Sequence, residues 1–92
     1  MRLRLSREAA DDLNGLLHWG AEHFGVDAAL DYYDGLLRVL DLLASSPRIG
    51  HEIRDDVRAH PHRSHIIVYR EDGGKLEVLM VRHGRSNWRK YL

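Results

Sequence analysis

The sequence predicts an α+β domain in which an N-terminal helical hairpin packs on an antiparallel sheet, in the order β-α-α-β-β-β. Three observations predict it. Apolar residues recur near helical spacing from Ala10 to Leu43, interrupted once, at Gly25. After Pro47 the apolar period shortens to two. Two apolar runs, 64–70 and 76–83, then flank Glu71-Asp72-Gly73-Gly74-Lys75, the pattern of a β-hairpin closed by a glycine turn.

Each element has its own signal. Arg2-Leu3-Arg4-Leu5 alternates polar and apolar residues, which predicts a short strand. Ser6 is a favourable N-cap and Glu8 places an acid in the first helical turn. Ala10, Leu13, Leu17 and Phe24 follow at helical spacing, with Leu16 and Gly20 filling the stripe, and Gly25 stops the helix. Asp27 is the expected cap of a second helix whose apolar face is Ala29, Tyr33, Leu36, Leu40 and Leu43. Ser45-Ser46-Pro47 ends it. So short a connection between two long helices predicts an antiparallel pair. Arg48 to His51 reads as a loop, and Ile53, Asp55 and Val57 alternate with charged neighbours as a half-exposed strand. His60-Pro61-His62 reads as a turn, because proline supplies no ladder donor. Asn87 to Leu92 fits either a short helical turn or an extended tail. The expected core is Leu13, Leu17, Phe24, Leu36, Leu40, Ile67 and Leu79, with Trp19, Tyr32 and Tyr33 in the core or the helix seam.

Ninety-two residues make one domain, expected to span 1–92. A domain of this size buries only about 60–65% of its unfolded surface, so its stability margin is thin. With no cysteine, neither a disulfide framework nor a thiolate metal site is available, which fits a reducing, cytoplasmic setting. No apolar run is long enough to cross a membrane, and the N-terminus lacks the apolar core of a signal peptide. The net charge of zero hides an asymmetry. Residues 1–46 carry four arginines against eight acids, and residues 47–92 carry ten lysines and arginines against six. One acidic and one basic face are expected.

Candidate sites follow from the charged and aromatic residues. Seven histidines invite a metal site, yet Pro61 bends the chain between His60 and His62 and no cysteine or glutamate completes a ligand spacing. Neither a metal nor a cofactor is expected; His65 and His83 are expected to meet across the hairpin, satisfied by hydrogen bonds. Arg58, Arg63, Arg82, His83 and Arg85 make a cationic rim. Arginines gripping phosphate beside a histidine acid would suit a nuclease, but a basic rim on a small sheet is more often a binding surface than a catalytic centre. Trp88, among Arg85, Arg89 and Lys90, anchors in a protein pocket, stacks on a base or folds back as a lid on the core. Leu16, Leu30 and Leu37 are left over on the helices as a candidate partner groove.

Taken together, the chain resembles the ParE branch of the RelE/ParE toxin superfamily of bacterial type II toxin–antitoxin systems. The resemblance rests on an ordered series: Leu5-Ser6, Ala9-Asp12-Leu13, Phe24-Gly25, Ala28, Tyr32, Pro47, Gly50, Arg54, Val57, Ser64-His65-Ile66-Ile67-Val68-Tyr69-Arg70, Val78 and Val81-Arg82-His83-Gly84-Arg85. It implies a toxin that poisons DNA gyrase by protein–protein binding rather than as an enzyme. It also implies a ParD-like antitoxin that neutralises the toxin in a hetero-oligomer. The antitoxin is expected on Leu16, Leu30, Asp31, Asp34, Leu37 and Asp41, and the target on Arg82, Arg85, Trp88 and Arg89. Direct nucleic-acid binding by the toxin alone is not expected. The RelE branch cleaves mRNA on the ribosome, and one scaffold hosts both activities. In that alternative Arg63 and Arg82 bind phosphate, His83 is the acid and Tyr91 completes the site. RelE-like ribonucleases carry an arginine where this chain has Ile66, and lysines on the preceding strand where it has Asp55 and Asp56. Carboxylates there would repel an RNA backbone.

Overall fold

A computed structural model of the chain describes residues 2–92. The elements are β1 (Arg2–Leu5), α1 (Arg7–Phe24), α2 (Val26–Ser45), a 3₁₀ turn (Pro47–Ile49), β2 (His51–Arg54), β3 (Val57–His62), β4 (His65–Asp72), β5 (Lys75–His83) and a second 3₁₀ turn (Trp88–Tyr91). The five strands form one sheet in the order β1-β5-β4-β3-β2, with the helical hairpin on one face.

Three parts of the sheet differ from the sequence expectation. It is mixed rather than purely antiparallel: β1 runs parallel to β5, with Leu3 opposite Leu76 and Leu5 opposite Val78. The helical hairpin carries the chain from β1 at one edge to β2 at the other, and β3 and β4 bring it back to β5, a connection long enough for parallel pairing. The single strand expected around 53–58 is two strands, β2 and β3, turning at Asp55-Asp56. Asp56 takes a left-handed φ of 63°, a conformation that aspartate tolerates better than most residues. His60-Pro61-His62 belongs to β3 and is not a turn. Pairing with β2 stops at His51 and Ala59, so Pro61 lies where β3 has an open outer edge, as proline in a sheet requires.

The β4–β5 hairpin forms as its sequence dictates. Gly73 and Gly74 both have positive φ (57° and 82°), the geometry of a type I′ turn that matches strand twist. Ser6 caps α1: its hydroxyl accepts from the Ala9 N–H at 3.0 Å and donates to the Leu79 carbonyl at 2.8 Å. Gly25, at φ 94°, ends α1 and is itself the N-cap of α2, the role expected of Asp27, which instead lies in the first turn.

The main core lies between the helices and the sheet, where Leu13, Leu36, Leu40 and Leu43 meet Ile67, Tyr69, Leu76, Val78 and Val81. Leu17 and Leu79 are only half-buried, and Phe24 is 69% exposed, because it sits at the hairpin tip. The Tyr69 hydroxyl donates to the Pro47 carbonyl at 2.6 Å and accepts from the Gly50 N–H at 2.9 Å, tying the 3₁₀ turn to the core. A second, smaller core forms on the other face of the sheet. A β-bulge leaves Leu79 without a partner between Val78 and Met80, and Ala59, Val68 and Met80 are covered by Trp88.

Candidate functional site

The cationic rim divides into two groups on opposite faces of β5. Arg82 follows the bulge and is held by acids of α1. Its Nε donates to Asp12 Oδ2 at 2.9 Å, and its Nη2 to Glu8. The same Asp12 oxygen accepts the Val81 N–H at 3.0 Å. Beyond Leu5 no strand covers this edge of β5, and Ser6 and Asp12 take over its polar groups. The Asp12 hydrogen bond, opposed in part by burial, raises the Arg82 pKa. Tyr91 lies under the same guanidinium, 5.1 Å from carbon to ring centroid. Arg82 and Tyr91 therefore meet, but in a neutralised, structural setting. Towards the β4–β5 turn, Arg4 pairs with Asp72 and Glu77, and Arg70 with Glu77.

His83, the next residue along β5, pairs directly with His65, with ring centroids 5.6 Å apart. His83 Nδ1 accepts the Arg85 N–H at 3.1 Å. Tyr32, from α2, lies between His62 and His65: its hydroxyl is 2.7 Å from His65 Nδ1 and 3.4 Å from the His62 carbonyl. The β3–β4 turn carries Arg63, at a left-handed φ of 52°, beside Ser64. Burial lowers the pKa of His65, and His83 and His62 lower it further. Burial lowers that of His62, helped by Arg63 and His60. Burial raises that of Tyr32 against the opposing Ser64 hydrogen bond and Arg63 charge. The expected meeting of His65 and His83 is thus present, with Tyr32 as the added member. Among the described residues no group of three or more histidines or carboxylates is arranged to hold a metal ion.

The set proposed for RNA cleavage does not converge. Arg63 and His83 lie at the end of the sheet beside the helices, whereas Arg82 and Tyr91 lie together against Glu8 and Asp12. Successive residues of a strand point to opposite faces, which separates Arg82 from His83. Asp55 and Asp56 occupy the β2–β3 turn and not a strand facing this site. Of the four residues expected to meet a target, Arg85 and Arg89 are exposed, Arg82 is bound by acids, and Trp88 is buried at 7% exposure with Arg89 stacked on its ring. Trp88 is a lid on the second core, and its indole is not a free anchor.

The helical hairpin carries the exposed apolar surface. Val26, Leu30, Asp34, Leu37 and Asp41 form one outward stripe along α2, with Asp31 beside it. Leu16 lies elsewhere, in a wedge of about 460 Å³ between the hairpin tip and the sheet end. Trp19, Gly20, Phe24 and Ala28 line one side of the wedge, and Tyr32, His65 and His83 the other. Trp19 is 55% exposed and stacks on His23 at 4.1 Å. The sequence predicts Phe24 in the core and Trp19 in the core or the helix seam; both are exposed because the hairpin tip overhangs the sheet. Among the described residues, no helix is long and apolar enough to cross a membrane.

Residues 3–88 match the family described as the ParE toxin of the type II toxin–antitoxin system parDE. The chain belongs to the ParE toxin family. It is 32% identical over 92 residues to Toxin ParE1 of Caulobacter vibrioides, covering 97% of this chain and 95% of that one. It is 35% identical over 90 residues to Toxin ParE1 of Mycobacterium tuberculosis, covering 94% and 92%. The fold is that of a chain from the chromosomal ParDE toxin–antitoxin system of P. aeruginosa, with a TM-score of 0.79 at 19% identity over 90% and 95% of the two chains. The molecule is therefore a ParE-type toxin of a type II toxin–antitoxin system.

Proposed function

We propose that this ParE-type toxin acts in the cytoplasm by binding DNA gyrase, without cutting a substrate, and that a ParD-like antitoxin neutralises it by covering the helical hairpin. The observation that carries this reading is the fate of Arg82. A phosphate-gripping arginine needs an open guanidinium, and Arg82 is already occupied by Glu8 and Asp12. The candidate acid His83 faces the other way, so general acid catalysis has no phosphate clamp beside it.

The antitoxin surface is read from the apolar and acidic residues of the hairpin. The stripe Leu30, Asp34, Leu37 and Asp41 suits a partner segment with apolar side chains and basic neighbours, and the wedge with Leu16 accepts larger apolar groups. The acids speed encounter more than they set affinity. For the target, the free cations are Arg85 and Arg89 at the sheet exit, which narrows the expected set.

Expression in a bacterial host tests the reading. Wild-type chain is expected to arrest growth, to induce the DNA-damage response with mRNA intact, and to be relieved by a co-expressed ParD-type antitoxin. Leu30→Glu with Leu37→Glu, both at exposed positions, is expected to keep toxicity and lose relief. Arrest accompanied by mRNA cleavage, with no DNA damage, would replace gyrase by the ribosome as target.

A further inference from the structure

We propose that Tyr32, His65 and His83, with His62 beside them, form an acid-sensitive latch between the helical hairpin and the end of the sheet, and that this latch sets the shape of the wedge. The use of the wedge by an antitoxin rests on the function proposed above; the latch is a property of the chain alone. Tyr32 is the side chain of α2 that hydrogen-bonds the sheet end, and it has one proton to give. With the proton of neutral His65 on Nε2, Nδ1 accepts that hydroxyl proton, 2.7 Å away. A protonated imidazole has two donors and no acceptor. Nδ1–H then donates to the hydroxyl oxygen, so the bond reverses, and the hydroxyl proton turns to the His62 carbonyl at 3.4 Å, beyond the ordinary O–H···O range of about 2.5–3.0 Å.

Charge acts in the same direction. His83 on β5 faces His65, and His62 on β3 lies on the far side of Tyr32. Arg63 of the β3–β4 turn acts on His62 and Tyr32, His60 acts on His62, and the Arg85 N–H binds His83. From α1 the wedge receives Leu16, Trp19 and Gly20, which carry no charge. Every titratable neighbour of His65 but Tyr32 is thus cationic when charged. Protonating His65 reverses its bond to Tyr32 and adds a like charge to a cationic cluster, which drives the imidazoles apart. Helix α2 lies against this cluster: a Cβ on Gly35 would sit 3.6 Å from His62 Nε2. Displacement of the imidazoles therefore reaches the helix.

The folded chain holds His65 and His62 below the ordinary imidazole range, so the latch is closed above a pH of about 6.5 and opens as pH falls below it. NMR titration of the histidine Cε1–H signals in the full-length chain tests this, together with amide hydrogen exchange at about pH 7.5 and 5.5, corrected for intrinsic rates. His65 is expected to titrate below free imidazole, and His83→Asn to raise its midpoint. Amides in the first half of α2 are expected to open several-fold more at the lower pH, to a ceiling of about tenfold from His65 alone, with β4 and β5 unchanged. Tyr32→Phe is expected to give open exchange at both pH values. A His65 midpoint at or above that of free imidazole, or α2 exchange equal at both pH values, would overturn the latch. With a ParD-type antitoxin as probe, weaker binding at the lower pH supports coupling to the wedge, and equal binding at both overturns that coupling. An antitoxin that binds at neither pH refutes the functional reading, while the histidine titration still decides the latch.

Discussion

Asp12→Ala separates a structural Arg82 from a working one. In the wild-type chain one carboxylate oxygen takes both the Val81 N–H at 3.0 Å and Arg82 Nε at 2.9 Å. The two side chains are only 17% and 24% exposed, so solvent screens the pair incompletely. Hydrogen bonds to a charged group contribute about 1.5–3 kcal/mol each. Here they share an oxygen, and Arg82 keeps Glu8 as a second, more exposed partner. The alanine variant leaves the Val81 N–H unpaired at the edge of β5, and a loss of about 3 kcal/mol is expected. Urea denaturation of the full chain measures it. Combined with Arg82→Met in a double-mutant cycle, the pair is expected to show a coupling of about 1–2 kcal/mol. A cost below about 1 kcal/mol for Asp12→Ala, or strictly additive single costs, would refute the view that Arg82 is consumed in holding α1 to β5.

Tyr69→Phe leaves the Pro47 carbonyl and the Gly50 N–H without their buried partner, and a loss of about 3 kcal/mol in urea denaturation is expected. Gly50→Ala places a Cβ 2.9 Å from Tyr69 Cε1 and 3.0 Å from the Ala59 carbonyl oxygen, so about 1–3 kcal/mol of overpacking is expected, partly relieved when combined with Tyr69→Phe. Trp88→Ala uncovers Val68 and Met80 and should cost about 3 kcal/mol, with increased binding of a hydrophobic dye reporting the exposed sheet face. The lowered pKa values of His65 and His62 mean that the unfolded chain binds more protons than the folded chain below a pH of about 6.5. Stability is therefore expected to be full above that pH and to fall as pH drops toward the folded values. Urea curves at about pH 7.5 and 5.5 check the sign.

Local signals decided what was legible in the sequence. Ser6 as a cap, Gly25 as a helix stop and Gly73-Gly74 as a type I′ turn each act within a few residues, and each stands where its chemistry places it. The Asp55-Asp56 turn was hidden, because two aspartates are a weak turn signal until Asp56 adopts a positive φ. Parallel pairing of β1 with β5 depends on the path of the helical hairpin across the sheet, which no local pattern records. Phe24 continues the helical stripe but lies past the end of the sheet, so periodicity alone misplaces it in the core. The candidate site was legible in its residue types and not in their directions. Adjacency in sequence suggested that Arg82 and His83 act together, while the pleat sends them to opposite faces. The acids that bind Arg82 come from α1, some seventy residues away, beyond the reach of any spacing rule.

The most direct test incubates the purified chain with DNA gyrase and supercoiled plasmid, and in parallel with translating ribosomes and mRNA. A gyrase-directed binder is expected to accumulate gyrase-linked DNA breaks and to leave the mRNA whole. Codon-specific mRNA cuts with gyrase unaffected would contradict the account.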